Sequence, residues 1–144
     1  MKRVYTAEAT AYGARVGAVV SSDERLDVEL SRPRAIGGDD GPGTNPEQLF
    51  AGGYAACFHS AMRFAVAEQS LPRDALQDSH VTATVHLLRG EPNEFGLAVE
   101  LTFSAPRLTD EQAMAVMKRT HQICPYSRAT AGNVEVELRV AEDA

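Results

Sequence analysis

Hydrophobic and mostly polar positions alternate at three places along this chain of 144 residues. Val81, Ala83, Val85 and Leu87 alternate with Thr82, Thr84 and His86. Leu97, Val99, Leu101 and Phe103 alternate with Ala98, Glu100 and Thr102, and Val134, Val136, Leu138 and Val140 with Glu135, Glu137 and Arg139. Period-two alternation puts one face of a strand toward a core and the other toward water, so it predicts three half-buried strands. Gly90-Glu91-Pro92-Asn93-Glu94 is turn chemistry, which makes the first two an antiparallel hairpin. A shorter alternation of Leu26, Val28 and Leu30 with Asp27 and Glu29 predicts a strand near the N-terminus. Before it, Gly13 and Gly17 bracket Ala14-Arg15-Val16, a tight connection between two extended pieces. The glycine-rich stretch 36–44 reads as a loop.

Two stretches carry helix signals instead. Asn45 can cap, Pro46 suits the first helical position, and Gln48 completes a capping-box pattern. Glu47 sits in the first turn, where a negative charge suits the helix dipole. This helix is expected to run to about Gln69, ahead of Pro72. Phe50, Gly53, Tyr54, Cys57, Ala61 and Phe64 make it apolar around most of its circumference, so it is buried on several sides. In a chain this short, that points to cover from a partner subunit as well as from its own sheet. Thr109 caps a second helix, with Gln112 at capping-box spacing, an apolar face of Ala113, Val116, Met117 and Ile123, and Pro125 as its stop. The order strands, helix, strands, helix, strand is that of an α+β fold, read as a single domain over residues 1–144.

Composition narrows the function. With 20 acidic and 14 basic residues the net charge is −6, and the basic residues are scattered, which argues against nucleic-acid binding. No apolar run approaches the ~20 residues of a membrane span. Met1-Lys2-Arg3 is followed by no apolar segment of a signal peptide, so a cytoplasmic, non-membrane protein is expected. Two cysteines in such a protein are not a disulfide framework.

Those cysteines hold the candidate chemistry, and three readings compete. Each can be a small buried hydrophobe, the common fate of a free cysteine. Cys57, His59, His121 and Cys124 can be proposed as zinc ligands. However, residues two apart on a helix are rotated by about 200°, so Cys57 and His59 cannot face one metal. His121 and Cys124 share a face but make half a site. The third reading is a reactive thiol with a second thiol as its resolver. A helix interior disfavours the thiolate, so the attacking cysteine needs a cation. Cys124 lies at a helix C-terminus, where the dipole disfavours an anion, so Cys57 is the better nucleophile. Spacing does not show that the two sulfurs meet. They lie 67 residues apart, and a disulfide needs Cα atoms within about 7 Å.

Four groups of residues resemble the organic hydroperoxide resistance (Ohr) proteins of the OsmC-like superfamily. They are Tyr5-Thr6-Ala7 to Arg15; Ser21-Ser22-Asp23 with Leu26-Asp27-Val28; Thr44-Asn45-Pro46-Glu47-Gln48-Leu49-Phe50 through Tyr54-Ala55-Ala56-Cys57-Phe58; and Cys124-Pro125-Tyr126-Ser127 with Ala129-Thr130 and Gly132-Asn133. The resemblance implies an OsmC/Ohr-like fold, with antiparallel sheets packed on two main helices, one long, central and buried. It implies an intertwined homodimer with active sites at the subunit interface. It further implies a thiol peroxidase that reduces organic and fatty-acid hydroperoxides to alcohols in oxidative stress defence. No bound cofactor is implied; the reductant would be a lipoyl dithiol, as dihydrolipoamide or on a lipoylated protein. By resemblance Cys57 is the peroxidatic cysteine, Cys124 the resolving cysteine, Arg15 the activating cation and Glu47 its carboxylate partner. The chain departs from the family pattern at Ala14, Arg128 and Ala131, where glycine, asparagine and arginine are common.

The chemistry suits these residue types. Arg15 can lower the thiolate pKa and stabilise charge on the peroxide oxygens, and Glu47 can orient its guanidinium. Glu47 and Cys57 are ten residues apart, about 15 Å along a continuous helix, so they cannot touch. Read alone, Arg15 is also a solvated turn residue, and Glu47 a residue serving only the helix dipole. His59, His80, His86 and His121 read as structural or exposed. Phe50, Phe58, Phe64, Met62 and Met117 read as core, or as a wall that favours bulky hydroperoxides. Two other functions stay open: an OsmC-like peroxidase of broader oxidant range, and a redox sensor that uses the same disulfide without turnover.

Overall fold

The computed structural model describes residues 1–142, which form two compact units divided between Leu49 and Phe50. In the first unit, β1 (Ala9–Tyr12), β2 (Ala18–Ser21) and β3 (Asp27–Glu29) form an antiparallel sheet in that order. The Gly13–Gly17 connection is a single 3-10 turn over Ala14–Val16. The predicted N-terminal strand is therefore present but only three residues long. Leu30, just past it, bridges Thr44 across the glycine-rich loop and is buried. Val4, Tyr5, Tyr12 and Val16 are 86, 80, 61 and 71% exposed.

Helix α1 (Pro46–Glu68) opens where the sequence placed it. The Asn45 side chain accepts a 2.9 Å hydrogen bond from the Gln48 amide. The capping box does not close, because Gln48 Oε1 instead accepts from the Thr44 hydroxyl at 2.6 Å.

In the second unit, β4 (His80–Arg89) and β5 (Phe95–Ser104) are the expected antiparallel hairpin. Helix α2 (Asp110–Ile123) begins on a complete Thr109–Gln112 capping box. A short helix α3 (Pro125–Thr130) and β6 (Glu135–Val140) follow. β6 adds to β5 in parallel, giving the order β4-β5-β6. The expectation of antiparallel sheets is corrected at this strand. The connection from β5 is not a turn but two helices, and such a crossover returns the chain to the end of the sheet where β5 began.

Register then sorts the side chains. Val81, Ala83 and Val85 pair with Phe103, Leu101 and Val99, which pair onward with Val140, Leu138 and Val136. That face joins Tyr54, Phe58, Ala61, Met62 and Ala65 of α1 and Ala113, Val116 and Met117 of α2 in one core. Each large apolar side chain so buried contributes roughly 1.5–3 kcal/mol. The opposite face carries the charges: Glu100 accepts from Arg139 at 2.8 Å and pairs with His86 at 2.9 Å. Among the described residues, no helix is long and apolar enough to cross a membrane.

Candidate active site

Residues separated by most of the second unit's sequence meet at the two cysteines. Cys57, half-buried in the middle of α1, and Cys124, fully buried, have sulfurs 3.7 Å apart, with the Cys124 thiol donating toward Cys57. Both thiols are free. Cys124 reaches this position because it occupies a joint. α2 stops at Ile123, and Cys124 turns to an extended backbone (φ −58°, ψ 126°), its amide still donating to Thr120 O at 2.8 Å. Pro125 then opens α3, and the Cys124 carbonyl accepts from the Arg128 amide at 2.9 Å. Pro125, expected only as a stop, is thus also a start. Proline is favoured as the first residue of a helix, and that signal for α3 stands in the sequence.

The surroundings of Cys57 are unfavourable to a thiolate as they stand. Burial pushes the Cys57 thiol up, the neighbouring Cys124 pushes it further, and a hydrogen bond from the Tyr126 backbone N–H pulls the other way. Tyr126 is held close by Gly53, one turn before Cys57. A Cβ on Gly53 would lie 2.9 Å from the Tyr126 hydroxyl and 3.2 Å from its ring. Phe50, Tyr54, Phe58 and Tyr126 form an aromatic group, with Tyr54 and Tyr126 ring centroids 5.8 Å apart. Phe58, Met62 and Met117 are core, whereas Phe64 is 49% exposed beneath the Arg63 guanidinium.

The first unit supplies a second pair. Arg15 grips Glu47 with both terminal nitrogens, Nη1 to Oε2 at 2.9 Å and Nη2 to Oε1 at 2.5 Å. Their side chains are 28% and 18% exposed. The hydrogen bond from Arg15 holds the Glu47 carboxyl below the usual range, and the same bond raises the Arg15 guanidinium. Arg15 is therefore a fixed charge rather than a freely solvated turn residue. The loop that presents it is tight. Gly13 and Ala14 have φ of 71° and 53°, and a Cβ on Gly17 would lie 1.7 Å from the Tyr12 carbonyl oxygen. Ala14, one of the departures from the family pattern, thus sits in a conformation that glycine adopts more easily.

A chain of three polar groups beside the cysteines has no counterpart in the sequence pattern. The Tyr54 hydroxyl lies 2.8 Å from Ser127 Oγ, which lies 2.7 Å from His121 Nδ1. Tyr54 and Ser127 are inside the core and His121 is half-buried. His121 is engaged by Ser127, and His59 Nε2 meets Ser79 Oγ at 2.9 Å. Burial lowers the pKa of both histidines, with His80 adding to the effect at His59. Among the described residues, no three His, Cys, Asp or Glu side chains group as metal ligands.

Known proteins match the chain over nearly its whole length. The sequence pattern of the OsmC-like protein family matches residues 37–139. The organic hydroperoxide resistance protein of Xanthomonas axonopodis pv. citri is 46% identical over 142 residues, 97% of this chain and 96% of that one. The crystal structure of a Legionella pneumophila organic hydroperoxide resistance protein OsmC superposes with a TM-score of 0.89 at 42% identity, covering 98% of this chain and 100% of that one. Bacillus subtilis OhrB superposes with a TM-score of 0.83 at 39% identity, covering 96% and 100%.

Proposed function

Because the chain belongs to the organic hydroperoxide resistance proteins of the OsmC-like family, we propose that it defends against oxidative stress as a thiol peroxidase acting on organic and fatty-acid hydroperoxides. The observation that carries the reading is the 3.7 Å approach of a buried second thiol to the half-buried Cys57. A lone reactive cysteine would need no such partner.

In the proposed cycle the Cys57 thiolate attacks the terminal peroxide oxygen. The O–O bond breaks, Cys57 becomes a sulfenic acid, and the leaving alkoxide takes a proton to become the alcohol. The Cys124 thiol then attacks the sulfenic sulfur. The S–S bond forms and the hydroxyl leaves with the thiol proton as water. A lipoyl dithiol, dihydrolipoamide or a lipoylated protein, reopens the disulfide by exchange and is itself oxidised to the cyclic disulfide. Arg15 is assigned the positive charge that counters the upward push of burial on Cys57 and stabilises the developing alkoxide. Glu47 is assigned the role of fixing that guanidinium, which its two-pronged contact supports.

The working form is proposed to be a homodimer with its active sites at the subunit interface. Support comes from the first unit, where Val4, Tyr5, Tyr12 and Val16, on and beside a sheet of three short strands, are exposed apolar side chains that a second copy would cover.

The test is intact-mass and thiol analysis after one equivalent of an organic hydroperoxide, then after dihydrolipoamide. The expected result is rapid loss of both thiols to an intramolecular disulfide, full recovery with the dithiol, and sustained turnover with both substrates present. Two thiols that stay reduced would overturn the reading. A single oxidation without turnover would make the protein a sensor instead.

A further inference from the structure

We propose that the Tyr54–Ser127–His121 hydrogen-bond chain is a clamp that positions Cys124 against Cys57 for disulfide formation. This deepens the peroxidase reading and rests on it for its biological use. Cys124 sits at the joint between two helices in an extended conformation, so its side-chain direction depends on how α2 and α3 are held together. His121 lies in the last turn of α2 and Ser127 in α3. Their 2.7 Å contact spans the joint on either side of Cys124.

The same Ser127 hydroxyl reaches Tyr54 at 2.8 Å. Tyr54 precedes Cys57 by three residues on α1, the spacing that places two residues on one helix face. One continuous chain of polar atoms therefore ties both flanks of the resolving cysteine to the turn that carries the attacking one. With a neutral imidazole the chain closes when Tyr54 donates to Ser127 and Ser127 donates to His121 Nδ1. Thr130 adds a longer contact to Tyr54 at 3.4 Å and donates to the Ser127 carbonyl at 3.0 Å.

Packing alone does not call for these groups. Tyr54 is 0% and Ser127 1% exposed, and Phe and Ala would fill the same positions without burying hydroxyls. Buried hydroxyls are retained at a cost unless each finds its partner, and here they partner one another. Such satisfied networks fix one geometry where apolar contacts tolerate several. The chemistry needs that selection. The Cys57 sulfenic acid and the Cys124 thiol condense to a disulfide and one water, with no outside oxidant. The sulfurs must close from 3.7 Å to about 2.05 Å with a fixed dihedral. None of the three residues is assigned a proton transfer; they act through Cys124 and are positioning residues.

The decisive measurement is the equilibrium of the Cys57–Cys124 disulfide against a dithiothreitol redox buffer, using the full chain. Ser127→Ala and His121→Leu are expected to lower the disulfide equilibrium constant by about tenfold, since ångström-scale misplacement of reacting groups costs factors of this order or more. His121→Asn, whose amide can stand in for Nδ1, is expected to restore it. In a second readout, excess organic hydroperoxide should drive more Cys57 to sulfinic acid in Ser127→Ala than in the parent. A residue with only a general structural role would lower the melting temperature without this selective shift, and Asn would not rescue it. If Ser127→Ala does not fold, Tyr54→Phe, which keeps the ring, decides the matter. Variants that fold with the parent's equilibrium constant overturn the clamp. A parent pair that equilibrates normally with dithiothreitol but ignores hydroperoxide would overturn the peroxidase reading and leave the clamp standing.

Discussion

Gly17→Ala gives the sharpest test of how Arg15 is presented. The new Cβ would stand 1.7 Å from the Tyr12 carbonyl oxygen, 2.6 Å from its carbon and 2.8 Å from Gly13 Cα. Carbon contacts settle at about 3.5–4.0 Å, and all three neighbours are backbone, so no rotamer relieves the clash. Overpacking costs about 1–3 kcal/mol where side chains can adjust, and here only a shift of the backbone relieves it. The Arg15–Glu47 grip, at about 1.5–3 kcal/mol for a charged hydrogen bond, cannot hold the loop in place against a 1.7 Å contact between backbone atoms and the new Cβ. The loop should therefore rebuild locally and release Arg15, while the core, made of residues from α1 onward, stays folded. We expect kcat/KM for an organic hydroperoxide to fall to within about threefold of the Arg15→Ala value, with the far-UV circular dichroism spectrum retained. Gly37→Ala is the control: its φ is 89° and a Cβ added there would meet no atom within 4 Å, so it should cost about 1 kcal/mol of stability and no activity. A Gly17→Ala protein with the parent's kcat/KM would refute the claim that this turn holds Arg15 for catalysis.

Other outcomes follow from the same structure. Cys124→Ser should still allow hydroperoxide to oxidise Cys57, but mass spectrometry should show the gain of one oxygen passing to two, because no thiol intercepts the sulfenic acid; a stable one-oxygen product would count against Cys124 as resolver. The Glu47 carboxyl has a lowered folded pKa, chiefly through the Arg15 hydrogen bond. Its contribution to stability is therefore fully present above about pH 4.3, the unfolded value, and is lost as pH falls through the folded value. The stability difference between the parent and Glu47→Gln, measured by urea titration, should be constant near neutrality and shrink in acid. Thr109→Ala breaks a complete capping box and should cost about 1 kcal/mol, lowering the melting temperature by about 4 °C with peroxidase activity intact.

The elements with strong local signals are legible without coordinates. The β4–β5 hairpin, the Asn45 and Thr109 helix starts and the β6 alternation depend on neighbours within a few residues, and the structure has them where the pattern put them. The motif residues Cys57, Cys124, Arg15 and Glu47 are legible through family resemblance. Helix α3 is only half legible, because its Pro125 start signal can equally end the helix before it, and the choice depends on what the following turn packs against. The parallel seat of β6 is hidden for a related reason: alternation reveals a buried face but not the direction of the neighbouring strand.

Side-chain encounters across long separations needed the folded chain. That Cys57 and Cys124 lie 3.7 Å apart, and that Arg15 takes Glu47 in both prongs, are products of packing over 67 and 32 residues of sequence. Local propensity has no term for such distances; the cysteine approach follows from burying α1, α2 and the sheet in one core. The Tyr54–Ser127–His121 chain had no local signal at all. Tyrosine, serine and histidine are ordinary at helix positions, and only burial, by removing water as their alternative partner, makes each hydroxyl and ring nitrogen depend on the others.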